Sequence, residues 1–193
     1  MSVQDVLEIA LEDEPFFQES GGGVTLSGGE PLFQKEFTLA FLKSLKEKGI
    51  HTALDTCAFV PQKTLEESIS FTDMYLVDFK CFDSELHKKL TGQYNELIKE
   101  NLKFLSAKNT RLEIRIPFIP GCNDSAENMH ETGKFLSSLQ IEAVKLLPYH
   151  SYACSKYTAL QMEDTLPAVE SPEESVIKTA SEILQSYGLN ICS

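Results

Sequence analysis

Hydrophobic positions along the chain switch between two periods. Short β-rich runs alternate with longer runs in which apolar residues return every three or four positions. Residues 3–12 show the longer period, with Val6, Ile9 and Ala10 on one side and acids on the other, which predicts an amphipathic helix. Gly21-Gly22-Gly23 then interrupts the chain before a predicted strand, Val24 to Ser27. A predicted helix over about 34–48 is stopped by Gly49 in the usual C-terminal position. The next predicted strand is His51 to Asp55, and Pro61 suits the first turn of a helix over 61–69. A strand from Met74 to Phe79 follows, then helical segments over about 83–91 and 94–107.

Residues 111–119 form the clearest β-run, with Leu112, Ile114 and Ile116 on one face and Glu113 and Arg115 on the other. A helix over roughly 125–139 and a strand from Ala143 to Tyr149 come next. The last predicted helix has Ser171 as N-cap, Pro172 at its first position, Glu174 completing a capping box and Gly188 at its end. Residues 150–170 carry no evident periodicity, and a loop that long in a compact domain is usually a lid or binding loop.

Strands recurring every 24 to 36 residues with helices between them imply βα units and a parallel sheet in a single domain over 1–193. Five strands are too few for a closed eight-stranded barrel. An open barrel and a doubly wound sheet are the two candidates.

Composition narrows the classes. The chain has 17 Lys plus Arg against 29 Asp plus Glu, a formal net charge of -12, which disfavours general binding to a phosphate backbone. There is no apolar run long enough to cross a membrane and no basic-then-apolar start, so the expected compartment is the cytosol. The five cysteines, Cys57, Cys81, Cys122, Cys154 and Cys192, stand at least 24 residues apart. They form no local metal-binding or redox motif and read as reduced thiols.

Ligands of parallel α/β folds sit at the carboxyl ends of the strands. Polar residues fall there on every predicted strand: Ser27-Gly28-Gly29-Glu30, Asp55-Thr56, Asp78 with Lys80, Arg115 on the fourth strand, and Tyr149-His150. Singly, each has a structural explanation, whether a tight turn, a helix cap, a solvated ion pair or a surface histidine. Together they outline a rim able to hold a zwitterion: two adjacent glycines expose backbone groups, and Asp78 and Lys80, two apart, would share a face.

The segment GGGVTLSGGEPL at 21–32 resembles the corresponding stretch of radical S-adenosylmethionine (SAM) enzymes that activate glycyl radical enzymes. The likeness continues in order through GIHTALDT at 49–56, YLVDFK at 75–80, IRIPFIPGCND at 114–124 and KLLPYH at 145–150. The resemblance implies an incomplete, splayed parallel (β/α)6 barrel lacking its first strand and cluster loop. It implies SAM contacts from Ser27, Gly28, Gly29, Glu30, Asp78, Lys80, Arg115 and His150, and a cation site from Asp55, Thr56 and Asp78. It also implies a [4Fe-4S] cluster in the complete protein, a glycyl radical enzyme as partner, and an electron donor such as flavodoxin or ferredoxin.

The CxxxCxxC motif that binds the cluster in that family is absent from this chain. The expectation is therefore a C-terminal portion of an activating enzyme, itself inactive. A SAM-binding or partner-binding protein without radical chemistry is the alternative. A lyase using Lys80 as a Schiff-base nucleophile is weaker, because neighbouring Asp78 would favour the charged, non-nucleophilic amine.

Overall fold

A computed structural model describes residues 1–150, 161 and 169–192. The described elements run α1 (Val3–Leu11), α2 (Glu14–Ser20), β1 (Gly23–Leu26), a 3-10 turn (Pro31–Gln34), α3 (Lys35–Glu47), β2 (His51–Thr56), α4 (Gln62–Ser68) and β3 (Met74–Asp78). Then follow α5 (Ser84–Thr91), α6 (Glu96–Ala107), β4 (Leu112–Phe118), α7 (Ala126–Leu136), β5 (Ala143–Pro148), α8 (Glu174–Gln185) and β6 (Ile191–Cys192). The strands form a six-stranded parallel sheet in the order β1-β2-β3-β4-β5-β6. An α/β fold with a parallel sheet is thus what the hydrophobic pattern predicted.

Burial explains the two kinds of strand. β2 and β3 are buried over three consecutive central residues each, as expected where helices cover both faces of a parallel sheet. β4 instead alternates strictly, with Leu112, Ile114, Ile116 and Phe118 buried and Glu113 and Arg115 half-buried on the other face. That alternation matches the face assignment made from the sequence.

By Cα proximity the chain divides into two compact units. The first comprises Met1–Asp78, Glu96–Ile114 and Leu139–Glu142, and the second Phe79–Asn95, Arg115–Ser138 and Ala143–Ser193. In the first, α1 lies against α3: Leu7, Phe41, Leu45 and Ile50 form a buried cluster with Val6, Ala10 and Val24 packed on it. Ser2 and Asp5 close the capping box that starts α1, through bonds of 3.2 and 2.7 Å. In the second unit, α7 meets the chain just after α8 at Gly133, where a Cβ would sit 2.5 Å from the Tyr187 ring. Only glycine permits that approach.

Three expectations need correction. The last helix starts at Glu174 with Glu173 as N-cap and no side-chain cap bond, so Ser171 and Pro172 precede it. β3 ends at Asp78, leaving Lys80 two residues beyond the strand, so strand alternation does not place the two on one face. α2 and the two-residue β6 are additional elements. The stretch 150–170 lies outside the described residues except at 150, 161, 169 and 170.

At the amino ends of β2 and β3, Asp73 ties the sheet to α3. Its carboxylate accepts from Lys46 Nζ at 2.5 Å, from the Thr52 N–H at 2.9 Å and from Thr52 Oγ1 at 3.1 Å. Burial by itself would raise this carboxyl, but the Lys46 ammonium and the Thr52 donors outweigh it and hold it below its ordinary value. A folded carboxyl below its unfolded value stabilises the fold above the unfolded pKa, and that stability fades as pH falls through the folded pKa. Asp73→Asn is therefore expected to cost about 1–2 kcal/mol at neutral pH, the lower figure reflecting partial solvent screening. In urea titrations the deficit should shrink below about pH 4. A deficit constant from pH 7 to 3 would refute the assignment.

Candidate functional site

The carboxyl end of the first unit's strands is built around a suspended glycine turn. Gly28 and Gly29 take φ values of +98° and +55°, which side chains rarely adopt, and a Cβ at either would meet nothing within 4 Å. Their backbone groups therefore face open space. The residues on either side are both pinned to β2. Ser27 Oγ donates to Asp55 Oδ2 at 2.9 Å. Glu30 turns its carboxylate the other way, accepting from Thr56 Oγ1 at 2.8 Å, the Cys57 N–H at 2.9 Å, Cys57 Sγ at 3.1 Å and the Leu32 N–H at 3.1 Å.

Register supplies the rest. Leu26 pairs with Leu54 and Asp55 with Leu76, so Ser27, Asp55 and Asp78 fall on one face of three adjacent strands. The Ser27 hydroxyl and the Asp55 carboxylate thus stand beside the exposed turn, with Asp78 on the same face of the neighbouring strand. Thr56 is buried, and its hydroxyl donates to Glu30 while accepting from the Ala58 N–H at 2.9 Å.

Of the site residues expected from sequence, Ser27, Gly28, Gly29, Glu30, Asp55, Thr56 and Asp78 belong to the first unit, and the turn gathers five of them with Thr56 through the bonds above. Lys80, Arg115 and His150 belong to the second unit, Lys80 half-buried just past β3, Arg115 half-buried within β4, and His150 exposed just past β5. Sequence reasoning missed the asparagines that brace these loops. Asn101, fully buried in α6, donates 2.8 Å bonds to both Ala58 O and Val60 O, holding the turn after β2 where Ala58 has φ +54°.

The chemistry of the turn suits a zwitterionic, cationic ligand. Exposed backbone carbonyls and two carboxylates can receive an ammonium and lie close to a sulfonium, while exposed N–H groups can meet a carboxylate. SAM carries all three groups and fits this donor set. An iron–sulfur cluster does not fit the residues described. Among them no three His, Cys, Asp or Glu are placed to hold a metal ion.

These features define a parallel α/β protein with an open glycine turn at the carboxyl ends of its strands. The profile of the Radical SAM superfamily matches residues 1–133, and the chain belongs to that superfamily, among the enzymes that activate glycyl radical enzymes. It is 36% identical over 192 residues to the trans-4-hydroxy-L-proline dehydratase activating enzyme of Clostridioides difficile, covering 98% of this chain and 64% of that one. It is 34% identical over 191 residues to the pyruvate formate-lyase 1-activating enzyme of Escherichia coli K12, covering 97% of this chain and 78% of that one. The crystal structure of a domain of the pyruvate-formate lyase-activating enzyme from Bacteroides vulgatus superimposes with a TM-score of 0.76 at 34% identity, over 89% of this chain and 98% of that domain. The chain thus spans under two thirds of the first relative's length. Among the described residues no helix is long and apolar enough to cross a membrane.

Proposed function

We propose that this chain is the SAM-binding portion of a cytosolic enzyme that activates a glycyl radical enzyme. The observation carrying the proposal is the Gly28-Gly29 turn, open to a ligand and pinned on both sides to β2 by Ser27 and Glu30. The turn's backbone receives the methionyl ammonium of SAM, with Asp55 and Asp78 adding negative charge and, with Thr56, a cation site. Lys80, Arg115 and His150 are proposed as SAM-binding residues on the family resemblance alone. Bound SAM, on taking up one electron, would part at its sulfur–C5′ bond into methionine and a 5′-deoxyadenosyl radical, which would take a hydrogen atom from a glycine Cα of the partner and leave as 5′-deoxyadenosine. A [4Fe-4S] cluster held elsewhere in the complete protein, with a flavodoxin or ferredoxin as its donor, would supply that electron.

A second reading rests on the wide cysteine spacing: a protein that binds SAM or a partner without radical chemistry. Two measurements separate the readings. Calorimetric titration with SAM is expected to show saturable binding, weakened at least about tenfold by Gly28→Val, because a β-branched residue at φ +98° must move the turn. Circular dichroism would confirm that the variant folds. Absence of binding at millimolar SAM, or unchanged affinity in a folded Gly28→Val, overturns the site. If SAM binds, iron and sulfide loading of the complete protein followed by dithionite decides the chemistry: 5′-deoxyadenosine formation supports the radical reading, and intact SAM the second.

A further inference from the structure

Two costly features meet at the turn after β2. Ala58 holds φ +54°, a left-handed conformation that few residues with a Cβ adopt. Asn101 of α6 is fully buried, and its Oδ1 meets no donor among the described residues. A strained backbone and an unsatisfied buried oxygen each cost stability, and they persist only where the surrounding structure enforces them. Here one contact joins them: Asn101 Nδ2 donates to Ala58 O and to Val60 O, both at 2.8 Å.

That clamp holds the backbone facing Glu30. The Cys57 N–H, on the residue just before Ala58, donates to Glu30 Oε2 at 2.9 Å. The other carboxylate oxygen accepts the Leu32 N–H at 3.1 Å, so Glu30 ties the chain after the glycine turn to the chain after β2. A change of φ at Ala58 swings the chain on one side of it. Val60, 2% exposed, anchors the far side, so the side that moves carries the Cys57 N–H. Hydrogen bonds therefore link α6 to the glycine turn by way of residues 57–60 and Glu30, all within the first unit.

We infer that Asn101 is a positioning residue for the Gly28-Gly29 turn: by holding Ala58 left-handed, it keeps the Cys57 N–H on Glu30. Fully buried, it touches no ligand itself. The inference rests on the SAM reading of the turn, and one arm of its test does not.

That arm is amide hydrogen exchange of the full chain. In Asn101→Ala the Leu32 and Cys57 N–H groups, both bonded to Glu30, are expected to exchange about tenfold faster relative to the Tyr75 N–H. The Tyr75 N–H bonds Arg111 O at 2.9 Å and serves as the reference, since a general loss of stability speeds all three alike. In the other arm, calorimetry of the folded variants reads SAM affinity. Asn101→Ala is expected to weaken it about tenfold, an ordinary size for coupling between sites. Adding Ala58→Gly should recover most of that loss, measured against Ala58→Gly alone, because glycine adopts φ +54° without strain. An asparagine that only fills the core would show no such rescue. If circular dichroism shows Asn101→Ala unfolded, Asn101→Ser takes its place with the same expectations.

Leu32 and Cys57 exchanging in step with Tyr75 overturns the inference. So does a folded variant whose affinity stays within about twofold of the unaltered chain, or a loss that Ala58→Gly leaves in place. Should the unaltered chain itself bind no SAM, the SAM reading falls and the exchange arm alone decides. Selective speeding at Leu32 and Cys57 would then still establish Asn101 as the brace of the turn.

Discussion

Replacing Glu30 by alanine is expected to cost the fold about 2–4 kcal/mol and to weaken SAM binding at least about tenfold. The carboxylate accepts four donors: the Leu32 and Cys57 N–H groups, the Thr56 hydroxyl and the Cys57 thiol. Its removal leaves two backbone N–H groups without an acceptor beside the fully buried Ala58. Glu30→Gln should fall between the variants. One amide oxygen can still accept, but the NH2 group then faces the Cys57 N–H, donor against donor. Thr56→Val removes one donor to Glu30 and the acceptor of the Ala58 N–H but leaves both backbone bonds to Glu30 intact, so it should cost stability while sparing affinity. Urea denaturation gives the stability and calorimetry the affinity. If Glu30→Ala binds SAM as tightly as the unaltered chain, Glu30 does not position the turn. If its stability stays within about 0.5 kcal/mol, the bonds carry little energy.

The same residue shows how far the sequence could be read. GGEP marks a turn and its glutamate, but nothing local reveals which way the carboxylate points. Its partners Thr56 and Cys57 lie 26 and 27 residues away, and only strand register brings them alongside. The five longer strands were legible because their apolar runs and alternation follow directly from burial on one or both faces. β6 was not, since two residues make no pattern. α2 was missed because Pro15 and a cluster of acids hide any apolar period in a seven-residue helix with no buried residue. At the last helix a local signature misled: Ser171, Pro172 and Glu174 spell a capping box, yet the chain is non-helical until Glu174. The buried asparagines left the faintest trace, since asparagine ordinarily signals an exposed turn.

Asn123 is where that blind spot has its largest consequence. Asn123→Ala is expected to destabilise the protein by about 2–4 kcal/mol, because it leaves the Ile119 N–H and two carbonyls without their side-chain partner at a site 2% exposed. Asn123→Asp is nearly isosteric and should be worse at neutral pH. Its carboxylate can still accept from Ile119 but offers no N–H to Lys80 O or Pro117 O, and sets negative charge against both. Protonation restores one donor, so the folded state would hold that proton more tightly than the unfolded chain does. A folded carboxyl pKa raised above the unfolded value means that the penalty of Asn123→Asp eases as pH falls through the raised value. Asn123→Ala has no such proton, and its penalty relative to the unaltered chain should stay flat over the same range. Urea titrations of both variants from pH 7 to 4 test this directly. Parallel curves would show that the two carbonyls are served by other donors, and that Asn123 braces the loop only through Ile119.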